Sequence, residues 1–397
     1  MPDDTNRVSR RNVLELTAGS LVATGATGIA SAKPDEVVEV NVGFKGGRGR
    51  QMARDAANDV VREFDSIDAM TMRLPKKAVA GLEQNPNVRY VEENGTMEAL
   101  AETEPWGVDR VDADVVHSKG DTGDGADVAI VDTGIDDDHP DLQDNLGSGK
   151  AFVECGSGGW TGSCLFYGND NVCNEPWSDD NDHGTHCAGS ASAVDNSEGV
   201  VGVSTQATLH AVKVLDCAGS GTFSDIAAGV EYVANQGWDV ASLSLGGDSG
   251  SQTLHDAIQY ADDNGVLVVA AAGNAGPCTD CVKYPAKYQE CLAVSATTKD
   301  DALADFSSQG PEVDVAAPGK NINSTVPGGY AEFSGTSMAT PHVAGGTGLL
   351  MAGGDSNDQA RDQLESTAES VGLSTNESGN GLLDAAAALG YDSSDDT

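Results

Sequence analysis

Apolar and polar positions follow one another along this chain with two different rhythms. In residues 36–93, VVEVNVGF reads as a strand, DAMTMRLP as a second, and NVRYVEEN as a last one. RQMARDAANDVVREF sets Met52, Ala56, Val60 and Phe64 four residues apart, which predicts one amphipathic helix over 50–64. KKAVAGLEQ predicts a second helix, closed by an Asn-Pro-Asn turn. Together these segments predict a small α+β unit. After residue 101 the pattern changes. DVAIVDTG, ATLHAVKVLD, WDVASLSLGG, GVLVVAAAGN and CLAVSATT are unbroken apolar runs that end in polar residues or glycine. SDIAAGVEYVANQG, LHDAIQYADDNG and TPHVAGGTGLLMA lie between or after them with helical spacing. Strands without alternation are buried on both faces, so this part predicts an α/β architecture: a mostly parallel sheet with helices on both faces. In such sheets the chemistry gathers at the carboxyl ends of the strands.

Charge sharpens the division. The chain has 397 residues, with 22 basic against 63 acidic side chains and a net charge of −41. Residues 1–32 are neutral, residues 33–100 carry −2, and residues 101–397 carry −39. The carboxylates are interspersed with apolar runs, so they coat a folded surface rather than form a disordered tail. Such a surface repels itself unless concentrated salt screens it, which predicts a saline habitat. It argues against nucleic acid and anionic membranes as partners.

SRRNVLEL is followed by a Gly/Ala/Thr-rich stretch and by Ala30-Ser31-Ala32. Paired arginines, a short apolar region and an A-x-A end predict a twin-arginine export signal over 1–32 and a secreted, extracellular protein. No later apolar run reaches 18 residues, so no membrane anchor is expected. All eight cysteines follow residue 150, which suits disulfides in an exported protein. Cys278-x-x-Cys281 lacks a second pair at zinc spacing. The connectivity stays open.

Three residues at strand or helix ends carry candidate chemistry. Asp132 closes VAIV, His183 lies in DHGTH, and Ser337 opens an apolar, small-residue helix. Alone, each has an ordinary explanation as a cap or turn residue. In the order Asp…His…Ser they match one of the known chain orders of a catalytic triad. A metal site of His183, His186 and Cys187, at i, i+3 and i+4, is the competing chemistry. A catalytically silent binding protein is another.

VDTGID, HGTHCAG and GTSMATPHVAG resemble the three signature boxes of the subtilisin-like serine peptidases, the subtilases. HPDL, VKVL, SLGG, AAGN, YPAKY, PEVDVAAPG and GNGLLDAAAAL extend the resemblance over nearly all of 101–397. The acidity and the export signal are most similar to the haloarchaeal halolysins, although the chain stops at 397, where many halolysins carry a further domain. The resemblance implies a serine endopeptidase acting on proteins and peptides through an acyl-enzyme. Ser337 would be its nucleophile, His183 its base, Asp132 the group that orients the imidazole, and Asn274 the oxyanion donor. It implies substrate contacts at Ser244, Leu245, Gly246, Ala271 and Gly273, with Lys283 at the wall of the pocket for the residue before the scissile bond. It also implies Ca2+ held by side chains of Asp141, Asn196 and Glu102 and by carbonyls of Val194, Glu198 and Val200. Glu312 and Asp314 match a weaker cation site. Asp179, Asp180 and Asp182 would hold a further cation or be acidic surface. Residues 33–100 resemble the ferredoxin-like inhibitory propeptide and folding aid, cut by the enzyme itself at Leu100–Ala101 to leave a monomeric peptidase, 101–397. Cys187 would be a buried free thiol beneath the base, as in the proteinase K branch.

Overall fold

The computed structural model describes residues 37–64, 66–99, 106–156, 173–196 and 199–393. The export signal and Leu100–Ala101 lie outside the described residues. The N-terminal unit runs β1 (Val37–Phe44), α1 (Gly47–Ala56), β2 (Asp59–Glu63), β3 (Ala69–Pro75), α2 (Lys76–Glu83) and β4 (Val88–Glu93). Its strands form an antiparallel sheet in the order β2-β3-β1-β4. Val42, Phe44, Met70, Met72 and Leu74 are fully buried beneath the two helices.

The single helix predicted over 50–64 is instead a helix and a strand. α1 stops at Ala56, and Asp59–Glu63 pairs with β3, its residues alternating between exposed and half-buried. Met52 is 51% exposed. The β-branched pair Val60-Val61 prefers a pleated edge, and that local preference outweighs a four-residue spacing that holds by coincidence.

The remainder comprises β5 (Thr96–Ala99), α3 (Ala113–Lys119), β6 (Asp127–Asp132), β7 (Lys150–Ala151), α4 (His183–Ser192), β8 (Thr208–Lys213), β9 (Ser220–Thr222), α5 (Phe223–Gln236), β10 (Val240–Leu243), β11 (Leu245–Gly246) and α6 (Gln252–Asp263). It continues through β12 (Leu267–Ala271), β13 (Cys291–Thr297), β14 (Val315–Pro318), β15 (Ile322–Val326), β16 (Gly329–Phe333), α7 (Thr336–Ala352) and α8 (Asn357–Thr367). Two four-residue helices follow, Thr375–Ser378 and Ala385–Ala388. Among the described residues, seven strands form one parallel sheet in the order β14-β13-β12-β10-β6-β8-β7.

Successive residues of β6 face opposite layers, as the pleat requires. Val128 and Ile130 join the core beneath α4 and α7, while Ala129 and Val131 join the one beneath α5 and α6. Each fully buried Val or Ile contributes about 1.5–3 kcal/mol, so an unbroken apolar strand is stable only between two such layers. The carboxyl ends of β6, β10 and β12 therefore share one edge of the sheet.

Candidate active site

β6 ends in Asp132, which is fully buried. Its Oδ1 accepts from the Thr133 backbone N–H at 2.7 Å and from His183 Nδ1 at 2.8 Å. A carboxylate can only accept there, so Nδ1 carries a proton, and in the neutral imidazole Nε2 is the nitrogen with a free lone pair.

His183 is the first residue of α4, and the start of that helix is fastened by a second buried carboxylate. Asp179 Oδ2 accepts from the Thr185 N–H at 2.9 Å and the Thr185 hydroxyl at 2.6 Å. Its Oδ1 accepts from the Thr133 hydroxyl at 2.8 Å, and Thr133 Oγ1 accepts in turn from the Gly184 N–H at 2.8 Å. Gly184 allows this approach: a Cβ there would stand 2.1 Å from the Gly134 carbonyl oxygen. Asp179 and Asp180 are thus buried and bonded inward, the reverse of the acidic surface or cation site expected for them.

Ser337 is the second residue of α7 and fully buried. Pro341, inside that helix, has no N–H to give to the Ser337 carbonyl one turn earlier. The orphaned oxygen accepts from Ser244 Oγ at 2.8 Å and from Cys187 Sγ at 3.5 Å. Ser337 Oγ donates to the Ser244 carbonyl at 3.1 Å. Ser244 therefore grips the serine residue from both ends.

Asn274, just past β12, accepts at Oδ1 from the Thr336 N–H at 2.9 Å and the Thr336 hydroxyl at 3.0 Å. A backbone N–H only donates, so the amide orientation is set, and Nδ2 remains as a donor beside the start of α7. Gly273, at φ +109°, leaves room for Lys283, whose Cγ a Cβ at 273 would meet at 2.4 Å. Ala271, the last residue of β12, is fully buried. Lys283 Nζ pairs with Asp248.

β5 fills the gap between β11 and β9 as the middle strand of a three-stranded antiparallel sheet. Ala99 stands opposite Leu245 and Glu98 opposite Gly246. On the other side Glu98 stands opposite Ser220 and Met97 opposite Gly221. The tail of the N-terminal unit thus lies along the edge that the sequence assigned to substrate, and the next position on that edge is Ser244.

The N-terminal unit also docks on α5 and α6. Asn94 Oδ1 accepts from the Ser224 N–H at 3.0 Å, and Glu92 accepts from the N–H groups of Gln252 and Thr253 at 2.6 and 3.0 Å. Acceptors at helix N-termini suit the helix dipole. Arg62 meets Asp225 and Arg89 meets Asp256, so cations of the less acidic unit face carboxylates of the other.

Among the described residues, the one cluster of ligand-type side chains close enough to share an ion is Asp132, His183 and Cys187, within 4.8 Å of one another. His186 is not in it. Its Nε2 bonds to the Ile322 carbonyl at 2.9 Å, its ring stacks on Phe333, and burial pushes its pKa down to about 3. Cys187 is a buried free thiol whose pKa burial raises well above the usual value. Cys278 and Cys281 are joined as a disulfide, as are Cys155 and Cys173. Cys291 is buried and free.

Of the expected calcium ligands, Asp141, Val194, Asn196 and Val200 come together. Asp141, fully buried, accepts from Asn196 Nδ2 at 2.8 Å and from the Val200 N–H at 3.0 Å, and its carbonyl accepts from the Val194 N–H at 2.9 Å. The oxygen chemistry fits a hard cation once the Asn196 amide is turned to present Oδ1. Tyr330, whose hydroxyl donates to Asp141 Oδ2 at 2.8 Å, joins this set without any sequence signal. Glu102 and Glu198 lie outside the described residues. Glu312 and Asp314, matched to a weaker cation site, each face a basic side chain of this chain. Glu312 faces Lys287, and Asp314 binds Arg361 and the Ala293 N–H.

A buried Asp–His pair and a helix-start serine at the strand ends of a parallel α/β sheet, with an extended segment laid along the adjoining edge, is the layout of a serine peptidase. The Subtilase family model matches residues 123–385, and the Fervidolysin N-terminal prodomain model matches residues 34–94. An alkaline protease of Shouchella clausii is 44% identical over 83% of this chain and 81% of its own length. Subtilisin E of Bacillus subtilis is 40% identical over 87% of this chain and 89% of its own, and alkaline elastase YaB of a Bacillus is 42% identical over 85% and 83%. The chain belongs to the subtilase family. It is a subtilisin-type serine endopeptidase with an N-terminal propeptide.

Proposed function

We propose that the enzyme hydrolyses proteins through a triad of Ser337, His183 and Asp132. His183 Nε2 takes the Ser337 proton as Oγ attacks the peptide carbonyl, then returns it to the leaving amine. Asp132 holds the imidazole by Nδ1 and stabilises its charged form. Asn274 Nδ2 and the Ser337 backbone N–H stabilise the oxyanion, helped by the N-terminal end of α7. Water then releases the acyl group by the same route in reverse. The observation that carries this reading is the His183 Nδ1–Asp132 Oδ1 bond, which puts the proton of the neutral imidazole on Nδ1 and turns Nε2 into the base. A fluorophosphonate is expected to label the mature enzyme at Ser337, located by peptide mass spectrometry. Full activity with no label on Ser337 would sink the triad.

Residues 1–32 act as a twin-arginine signal, 33–100 as the inhibitory propeptide and folding aid, and 101–397 as a secreted peptidase domain, acting as a monomer. The position of β5 supports self-cleavage at Leu100–Ala101, since its register leads toward Ser244, which holds Ser337. Substrates add to the edge at Ser244, Leu245 and Gly246 by backbone pairing, with Ala271, Gly273 and Lys283 beside them. The charge of −39 on residues 101–397 supports a salt-requiring enzyme of the halolysin kind. Among the described residues no helix is long and apolar enough to cross a membrane.

Asp141, Val194, Asn196 and Val200, with Glu102 and Glu198, would hold Ca2+, which would cross-link the loop after α4 to the segment around Asp141. Chelation is expected to lower the melting temperature by about 5 °C, taking roughly 2.7 kcal/mol at a hundredfold excess over Kd. Asp141→Asn is expected to remove that response. Equal melting of wild type with calcium and with chelator would exclude the site.

A further inference from the structure

A second buried charge pair lies behind the site, and the proposed mechanism does not use it. Lys213, the last residue of β8, is fully buried, and its register partner is Asp132 itself. An ammonium has three N–H donors, and here each finds an acceptor. Nζ donates to the Thr133 carbonyl at 2.5 Å, to Asp180 Oδ1 at 2.6 Å and to the Leu215 carbonyl at 3.0 Å. The other oxygen of Asp180 accepts from the Gly156 N–H at 2.6 Å, next to the Cys155–Cys173 disulfide. Removing both charges from water costs several kcal/mol, which their attraction offsets only partly, so stability alone is a weak reason for the pair.

What the pair touches gives a better reason. The Thr133 residue whose carbonyl Lys213 holds is the one whose N–H binds Asp132 Oδ1 and whose hydroxyl binds Gly184 and Asp179. Asp180 belongs to the segment that leads into His183. We infer that Lys213 and Asp180 are positioning residues: together they lock the Thr133 peptide, and through it the Asp132–His183 couple, while cancelling each other's field. This rests on the triad reading above.

Cancellation makes the inference testable through charge. The other titratable groups facing the couple are Asp136 beyond β6, whose N–H binds Thr185, Asp179 and Asp182 in the segment before α4, His186 and Cys187 on α4, and His342 on α7. They are unchanged in every variant. Asp180→Asn leaves the cation uncompensated, disfavours the imidazolium, and should move the acid limb of the pH–kcat/KM profile to lower pH. Lys213→Met leaves the anion and should move it to higher pH. Each shift should be about half a pH unit, and the double variant should restore the limb. In all three, kcat should fall roughly 10- to 100-fold per fluorophosphonate-titrated site, with KM little changed. Shifts of the same sign, or none, would overturn the inference. Should Lys213→Met yield no folded protein, the Asp180→Asn limb alone decides. Wild-type labelling at Ser337 is the separate control: its failure sinks the triad reading, whereas unmoved limbs in labelled enzyme sink only the positioning pair.

Discussion

The Ser337→Ala protein is expected to accumulate as an uncut precursor and to hydrolyse peptides about 10⁶-fold more slowly than wild type, a magnitude known for a subtilisin. The side chain loses one hydrogen bond, from Oγ to the Ser244 carbonyl, and the helix start keeps its other contacts. The fold should therefore survive, and the loss should fall on kcat. Incubation of the purified variant followed by N-terminal sequencing checks the first half, and a peptide-hydrolysis assay against wild type checks the second. A chain beginning at Ala101 in that preparation would mean that another protease makes the cut.

Asp132→Asn should lower kcat by about 10⁴-fold with KM little changed. The replacement keeps the shape of the buried side chain but can turn a donor toward His183 Nδ1. That reverses the tautomer, places the proton on Nε2, and leaves Ser337 without a base. The pH–rate profile separates this from misfolding. A variant limited by the wrong tautomer regains activity at high pH, where hydroxide assists, while its melting temperature stays near that of wild type. A loss of less than tenfold would contradict the role given to Asp132.

The fold was legible because it is written in whole segments. Five apolar runs became β6, β8, β10 with β11, β12 and β13, since a strand buried on both faces can place a charge only near its ends, where a partner meets it. Asp132, His183 and Ser337 stood out as candidates because ordinary caps and turns in three signature boxes, in one chain order, are a coincidence too large to accept. Side-chain partners were less so. Lysine and aspartate are read as solvent-facing by default, and nothing local marks Lys213 or Asp180 as the exceptions. They become neighbours only when β8 lies beside β6. Tyr330 reaches Asp141 across 189 residues, a separation that no spacing rule covers. The strand at Asp59–Glu63 was hidden for a different reason: Val60 keeps the helical spacing from Met52, which masks the strand preference of Val60-Val61 until pairing with β3 is seen.

The contacts at α5 and α6 bear on what remains once the propeptide has gone. Each helix has its own cap: Thr222 Oγ1 accepts from the Asp225 N–H and Ser251 Oγ from the Leu254 N–H, both within the peptidase domain. Asn94 and Glu92 occupy different N–H groups of the same first turns, and water can take those over. The two helix starts therefore carry caps of their own beneath the prosegment's contacts. A peptidase portion freed of the prosegment keeps both first turns tethered by Thr222 and Ser251.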